Sequence, residues 1–168
     1  CPHSLAMPAA PSPPARNTYR HGDLRRALLD AGIALARAGG PAAVTLREAT
    51  RRVGVAPNAA YRHFANQQDL LLGVRASALS GVARSMEAAL AALPPGLSPA
   101  DHARASVRAV GTGYLRYAKA EPGLFRTAFA LSDKLIQATP DWPTVGDSGR
   151  NPHELLCDAL DLLVQAGV

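Results

Sequence analysis

The stretch from Thr45 to Phe64, TLREATRRVGVAPNAAYRHF, constrains the fold of this chain more than any other. Its spacing predicts two short helices joined by a tight turn, a helix-turn-helix, the arrangement that can lay its second helix in the major groove of DNA. Thr45 and Glu48 have the spacing of a capping box, so a helix is expected to start at Leu46. Leu46, Ala49 and Val53 then share one face. Gly54 can take the left-handed conformation that stops a helix, and Val55 is placed to plug the turn against the core. Pro57 suits the first turn of the next helix, where its missing N–H had no intrahelical partner. That helix is expected to end near Phe64 and carries Asn58, Tyr61, Arg62 and His63, side chains that can reach phosphates or base edges. Such helix pairs also occur in all-α proteins that never touch nucleic acid, so spacing alone leaves DNA binding open.

Charge narrows the choice. The 168 residues carry a formal net charge of +5, and the excess is confined to one part of the chain. Residues 1–75 hold ten Arg or Lys against four Asp or Glu, whereas residues 76–168 hold eight against nine. Positive charge gathered around a helix-turn-helix is the footprint of a polyanionic partner, although a solvated basic face or an anionic membrane surface gives the same pattern. No apolar run approaches the roughly 20 residues that a membrane-spanning helix needs. Cys1 and Cys157 lie at opposite ends, which makes neither a disulfide framework nor a metal site. Cys157 falls among apolar helix positions and is expected to be a buried free thiol, which fits a reducing cytoplasm.

The remainder reads as helices separated by clear stops. Residues 1–19, rich in proline and alanine as far as Ala15, are expected to be a disordered leader. Met7 is a candidate true start, which would leave Cys1 to Ala6 outside the native protein. Asp23 is placed to cap a helix starting at Leu24, with Leu28, Ala31 and Leu35 on its buried side, Arg25 and Arg26 directed elsewhere towards phosphate, and Gly39 and Gly40 at its end. Asn66 and Asp69 open a long helix to about Leu93 whose buried side is marked by Leu70, Val74, Leu79 and Val82. Ser98, Pro99 and Asp101 open the next, through Val107, Val110, Tyr114 and Tyr117 to Ala120. A shorter helix holds Leu124, Phe125 and Phe129. Asn151, Pro152 and Glu154 start the last, with Leu155, Leu156, Leu160 and Leu163 on its apolar side. No stretch alternates apolar and polar residues, so the fold class is all-α.

The first 75 residues resemble the DNA-binding domain of the TetR family of bacterial repressors. The resemblance is carried by an ordered set: a helix ending in Gly39-Gly40, then Thr45-Leu46-Arg47-Glu48, Val53-Gly54-Val55, Tyr61-Arg62-His63-Phe64, and Asn66 with Leu70-Leu71 opening the next helix. The segment from Tyr114 to Phe129 is similar, more weakly, to one subgroup's regulatory domain. The resemblance implies a DNA-binding domain over residues 20–66, a helical regulatory and dimerisation domain over 67–168, and a homodimer that binds a palindromic double-stranded operator. It implies phosphate contacts at Thr45, Tyr61 and His63, and positions facing base edges at Pro57, Asn58, Ala59 and Arg62; Arg47 belongs to the same DNA-binding set. Arginine can fork onto guanine and asparagine can pair with adenine. Helix N-termini such as that beside Thr45 attract anions. Three residues depart from the pattern: Ala56 where a Ser or Thr usually caps the second helix, Gln67 where a lysine commonly touches phosphate, and Thr50 where a small alanine packs between the two helices. The family also usually ends in two helices packed with their mates, and only one, from Pro152 to Gly167, is legible here, so a shortened C-terminus is expected.

The expected function is a ligand-responsive transcriptional repressor, cytoplasmic, released from DNA by a small apolar effector, with no enzymatic activity and no cofactor. Tyr114, Tyr117, Phe125, Phe129 and Trp142 are the expected ligand-binding residues, although ordinary core gives the same pattern. A helical small-molecule carrier or enzyme is the alternative; against it, the histidines are scattered and no pair has metal-ligand spacing. A nucleic-acid-associated structural protein without ligand control is a third reading.

Overall fold

A computed structural model of the chain describes residues 21–130 and 142–168. Within them lie seven α-helices, which we number α1 (His21–Gly39), α2 (Leu46–Val53), α3 (Pro57–Ala60), α4 (Gln67–Ala91), α5 (Pro99–Ala120), α6 (Pro122–Ala128) and α7 (Pro152–Gln165). No strand occurs among the described residues, and the fold is all-α as the sequence predicts. None of these helices is long and apolar enough to cross a membrane. The expected leader lies outside the described residues.

Local chemistry sets most of the boundaries. The side chains of Asn66, Ser98 and Asn151 each accept a hydrogen bond from the backbone N–H three residues on, at 2.9, 3.2 and 2.8 Å. At Asn151 the box is complete, because Glu154 accepts from the Asn151 N–H in return. At Asn66 it is not: the Asp69 carboxylate accepts from the Ala65 N–H, one residue earlier than a capping box requires. The start of α1 also differs from the expectation. The helix begins at His21, so Asp23 sits inside its first turn, where the helix dipole favours an acid, and does not cap it.

Helix α4 is the central element. Leu70, Val74, Leu79 and Val82 are buried as expected, but so are Leu72, Ala76, Ala78, Ala83 and Met86, on other sides of the helix. A helix with buried apolar residues on several sides lies in the interior of the fold. Its first half joins α1, α2, Phe64 of the turn after α3, and Leu124 and Ala128 of α6 in one core cluster. Its second half joins Val110 of α5 with Leu155 and Ala159 of α7 in another. The core therefore continues without a break across residue 66. Where α4 crosses α5, Gly113 sits directly on the backbone of Ser85 and Met86, and the Ser85 hydroxyl donates to the Gly113 carbonyl at 2.6 Å. The segment 142–150 is tied to α4 by the Ser80 hydroxyl, which donates to the Pro143 carbonyl at 3.0 Å, and by Glu87, which accepts from the Ser148 N–H and hydroxyl.

Helix α7 divides its apolar residues between two faces and corrects the expectation for Cys157. Only Leu155 and Ala159 are buried, whereas Leu156, Leu160 and Val164 are 39, 43 and 78% exposed, so the apolar residues divide between an inner and an outer face. Cys157 is half-buried, its sulfur 3.5 Å from His153 Nε2, and is not the core thiol expected.

Candidate nucleic-acid interface

The helix-turn-helix is built from the turn outward. Thr45 caps α2, its Oγ1 accepting from the Glu48 N–H at 3.2 Å. The reciprocal half of the predicted box is absent, because the Glu48 carboxylate is taken by Arg51, at 3.1 Å from Nε and 2.9 Å from Nη2. That hydrogen bond holds the Glu48 carboxyl below its ordinary range and pushes the Arg51 guanidinium up. The Thr45 hydroxyl accepts in the cap, which leaves its own hydrogen to donate outward. Helix α2 stops at Gly54, whose φ of 78° is left-handed, and the N–H groups of Gly54 and Val55 both close on the Thr50 carbonyl, at 2.9 and 3.1 Å. Thr50 is buried, and its hydroxyl donates to the Arg47 carbonyl at 2.8 Å, so the departure from alanine is satisfied locally.

Pro57 opens α3 after Ala56, which makes no side-chain cap. Four residues are α-helical, and the turn continues through hydrogen bonds from the His63 and Phe64 N–H groups to the Ala60 carbonyl, both 2.9 Å. Ala60 and Phe64 are fully buried and fix the orientation of the segment. Asn58, Tyr61 and Arg62 consequently face outward, Tyr61 with 59% of its surface exposed. Pro57, Arg47 and Gln67 are exposed as well, and Thr45 and His63 are half-buried. Ala59 is half-buried and packs against the head core, which leaves it less free to face a base than its neighbours. Between Thr45 and Gln67 there are four arginines against one glutamate, and that glutamate is already paired with Arg51. The exposed face is therefore positive, carries a phenol, an amide and guanidinium groups, and rests on a rigid base.

The five residues expected to line a ligand site are not brought together. Tyr114, Phe125 and Phe129 form one cluster, with ring centroids 5.0 Å apart for Tyr114–Phe125 and 5.1 Å for Phe125–Phe129. Phe129 is 53% exposed, so the cluster opens to the surface. Tyr117 packs against both cores, and burial raises its phenol above the ordinary value, with Glu121 adding to the effect. Trp142 belongs to the head. Its ring stacks on Phe64 at 6.1 Å with the planes within 5°, and the Arg25 guanidinium carbon lies 4.0 Å from its centroid. Arg25 thus rests on Trp142 while staying exposed. Sequence reasoning missed this stack because its members come from three distant segments with no shared period.

Residues 28–74 match the family model of the bacterial regulatory proteins of the tetR family. No curated protein matches the chain. A protein of unknown function from Rhodococcus sp. RHA1 shares its fold with a TM-score of 0.63 at 22% identity, over 90% of this chain and 72% of that one. The TetR family transcriptional regulator PfmR from Thermus thermophilus is similar at a TM-score of 0.51 and 23% identity, over 84% of this chain and 72% of its own.

Proposed function

We propose, from the premise that this chain belongs to the tetR family of bacterial regulatory proteins through its residues 28–74 and is a transcriptional regulator, that it is a repressor: a homodimer that holds a palindromic operator and lets go when a small effector binds its helical body. In this reading residues 20–66 are the DNA-binding domain and 67–168 the regulatory and dimerisation domain. The observation that carries it is the outward face of Asn58, Tyr61 and Arg62, held rigid from beneath by Ala60 and Phe64. Arg62 and Asn58 read base edges, with Pro57 and Ala59 beside them. Thr45, Arg47, Tyr61, His63 and Gln67 hold the phosphates.

Dimerisation is supported by the outer face of α7, where Leu156, Leu160 and Val164 recur every four residues and stay exposed in the single chain. A two-fold dimer would set its reading helices about 34–36 Å apart for successive major grooves. The effector is a small apolar molecule received at the open edge of the Tyr114, Phe125 and Phe129 rings, with Tyr117 behind them. The test is selection of bound sequences from a random DNA pool, followed by binding of wild type and Arg62→Ala to the selected site and its single-base variants. We expect a two-fold symmetric site, and for Arg62→Ala a loss of about 1–3 kcal/mol that vanishes at one position of each half-site. An equal loss on every sequence would make Arg62 a phosphate contact, and an unselective pool would overturn the operator reading.

A further inference from the structure

A separate cleft of 510 Å³ lies between α1 and α4, and its lining includes neither the outward residues of α3 nor the Tyr114, Phe125 and Phe129 rings. Its size falls within the roughly 300–1,000 Å³ of small-molecule sites. Leu29, Ile33 and Ala76 give it an apolar floor, and Trp142 closes one end. Its rim is cationic. Asp30 is the only carboxylate on the described lining, and Arg26 already holds it at 3.2 Å. The two other arginines on the lining, Arg25 and Arg84, pair with no carboxylate among the described residues. Arg25 is also pre-positioned. The Arg25 guanidinium carbon lies 4.0 Å from the Trp142 ring centroid, a contact that uses none of its N–H donors as hydrogen bonds to a carboxylate, so they can meet an anion. A smaller cleft of 370 Å³ shares Ile33, Ser77 and Arg84 with the first and continues towards Tyr117, Leu124 and the Arg37–Glu121 ion pair.

We propose that this cleft binds a small amphipathic monoanion, a carboxylate with a short aliphatic body. Arg25 and Arg84 take the charge, and the chain lies along Leu29 and Ile33. A neutral apolar molecule leaves both guanidiniums unmatched, and a fully polar anion leaves the floor wet, so the site selects the combination. The inference goes beyond the DNA-binding reading and does not depend on it, because occupancy is read at the cleft itself.

Trp142 is the only tryptophan in the chain, so its emission reports on the cleft directly. The full chain would be titrated with octanoate, octanol and inorganic phosphate, following Trp142 emission and, in parallel, heat by calorimetry. We expect saturable binding of octanoate, binding of octanol weaker by about tenfold or more, and none of phosphate. Arg84→Gln should weaken octanoate by about tenfold, and Arg25→Gln likewise by calorimetry, since that change alters the tryptophan's surroundings. Arg104→Gln, on α5 outside the cleft, should leave binding unchanged, and circular dichroism would establish that each variant is folded. Equal affinity for octanol and octanoate, an Arg84→Gln variant that binds like wild type, loss of binding in Arg104→Gln, or absence of any signal at millimolar octanoate would each overturn the assignment.

Discussion

Placing one methyl group at Gly113 should force α4 and α5 apart. A Cβ there would lie 2.5 Å from the Met86 Cα, 2.6 Å from the Ser85 carbonyl oxygen and 2.7 Å from the Met86 nitrogen. All three are backbone atoms, so no side chain can rotate out of the way. Ordinary carbon contact begins near 3.5 Å, so the helices must separate by roughly 1 Å. Separation weakens the hydrogen bond from the Ser85 hydroxyl to the Gly113 carbonyl, now 2.6 Å long, at a cost of about 1 kcal/mol. Overpacking of this kind adds about 1–3 kcal/mol, and the better helix propensity of alanine returns about 1 kcal/mol. The net expectation for Gly113→Ala is destabilisation by about 1–3 kcal/mol. Gly111 supplies the control, because it lies in the same helix and its Cβ would meet nothing within 4 Å. Gly111→Ala should therefore stabilise by about 0.5–1 kcal/mol. Urea denaturation of the two variants beside wild type measures both, and the signs should be opposite. A Gly113→Ala protein as stable as the Gly111→Ala protein would refute the argument from the crossing.

Three further outcomes can be checked. Tyr61→Phe and His63→Ala should weaken binding alike on every variant of the selected operator, because phosphate contacts position without reading sequence; a changed base preference in binding curves would reassign them. Leu160→Glu, on the exposed face of α7, should shift sedimentation at micromolar concentration from dimer to monomer while leaving the circular dichroism spectrum of the fold intact. The Arg51 hydrogen bond holds the Glu48 carboxyl below its ordinary 4.5, so its stabilising effect is complete above that value and is lost as pH falls through it and below. An NMR titration of the Glu48 side chain should show a midpoint under 4.5, and a midpoint at or above it would remove Arg51 as the cause.

What the sequence made legible was local. The caps at Asn66, Ser98 and Asn151, the stop at Gly54 and the burial of Leu70 and Val74 follow from residues three or four apart, where chemistry acts along the chain itself. The exposure of Asn58, Tyr61 and Arg62 is legible for the same reason. On α7 periodicity reports that a residue is apolar, not which neighbour covers it: Leu155 meets α4 and α5, whereas Leu156 and Leu160 are exposed on the single chain. On α4 all four positions that mark its buried side are buried, but one stripe could not show that Leu72, Ala76, Ala78, Ala83 and Met86 are buried as well, because they meet other neighbours. Trp142, expected among the aromatic residues of a ligand site, stacks on Phe64 and meets Arg25, and no local pattern encodes that return.

The continuity of the core across residue 66 bears on how mutants of this protein should be interpreted. Leu124 and Ala128 of α6 share a cluster with Leu28, Phe64 and Leu70, so the helices beneath the reading face melt together with part of the body as one cooperative unit. Leu124→Ala, a truncation of about 2–5 kcal/mol in a buried site, would lower operator occupancy simply by lowering the fraction of folded heads. For the repressor proposed above, a genetic screen for lost repression would then return α6 positions beside those of α3. Only a measurement of folded fraction in each mutant separates residues that touch DNA from residues that hold the touching surface in place.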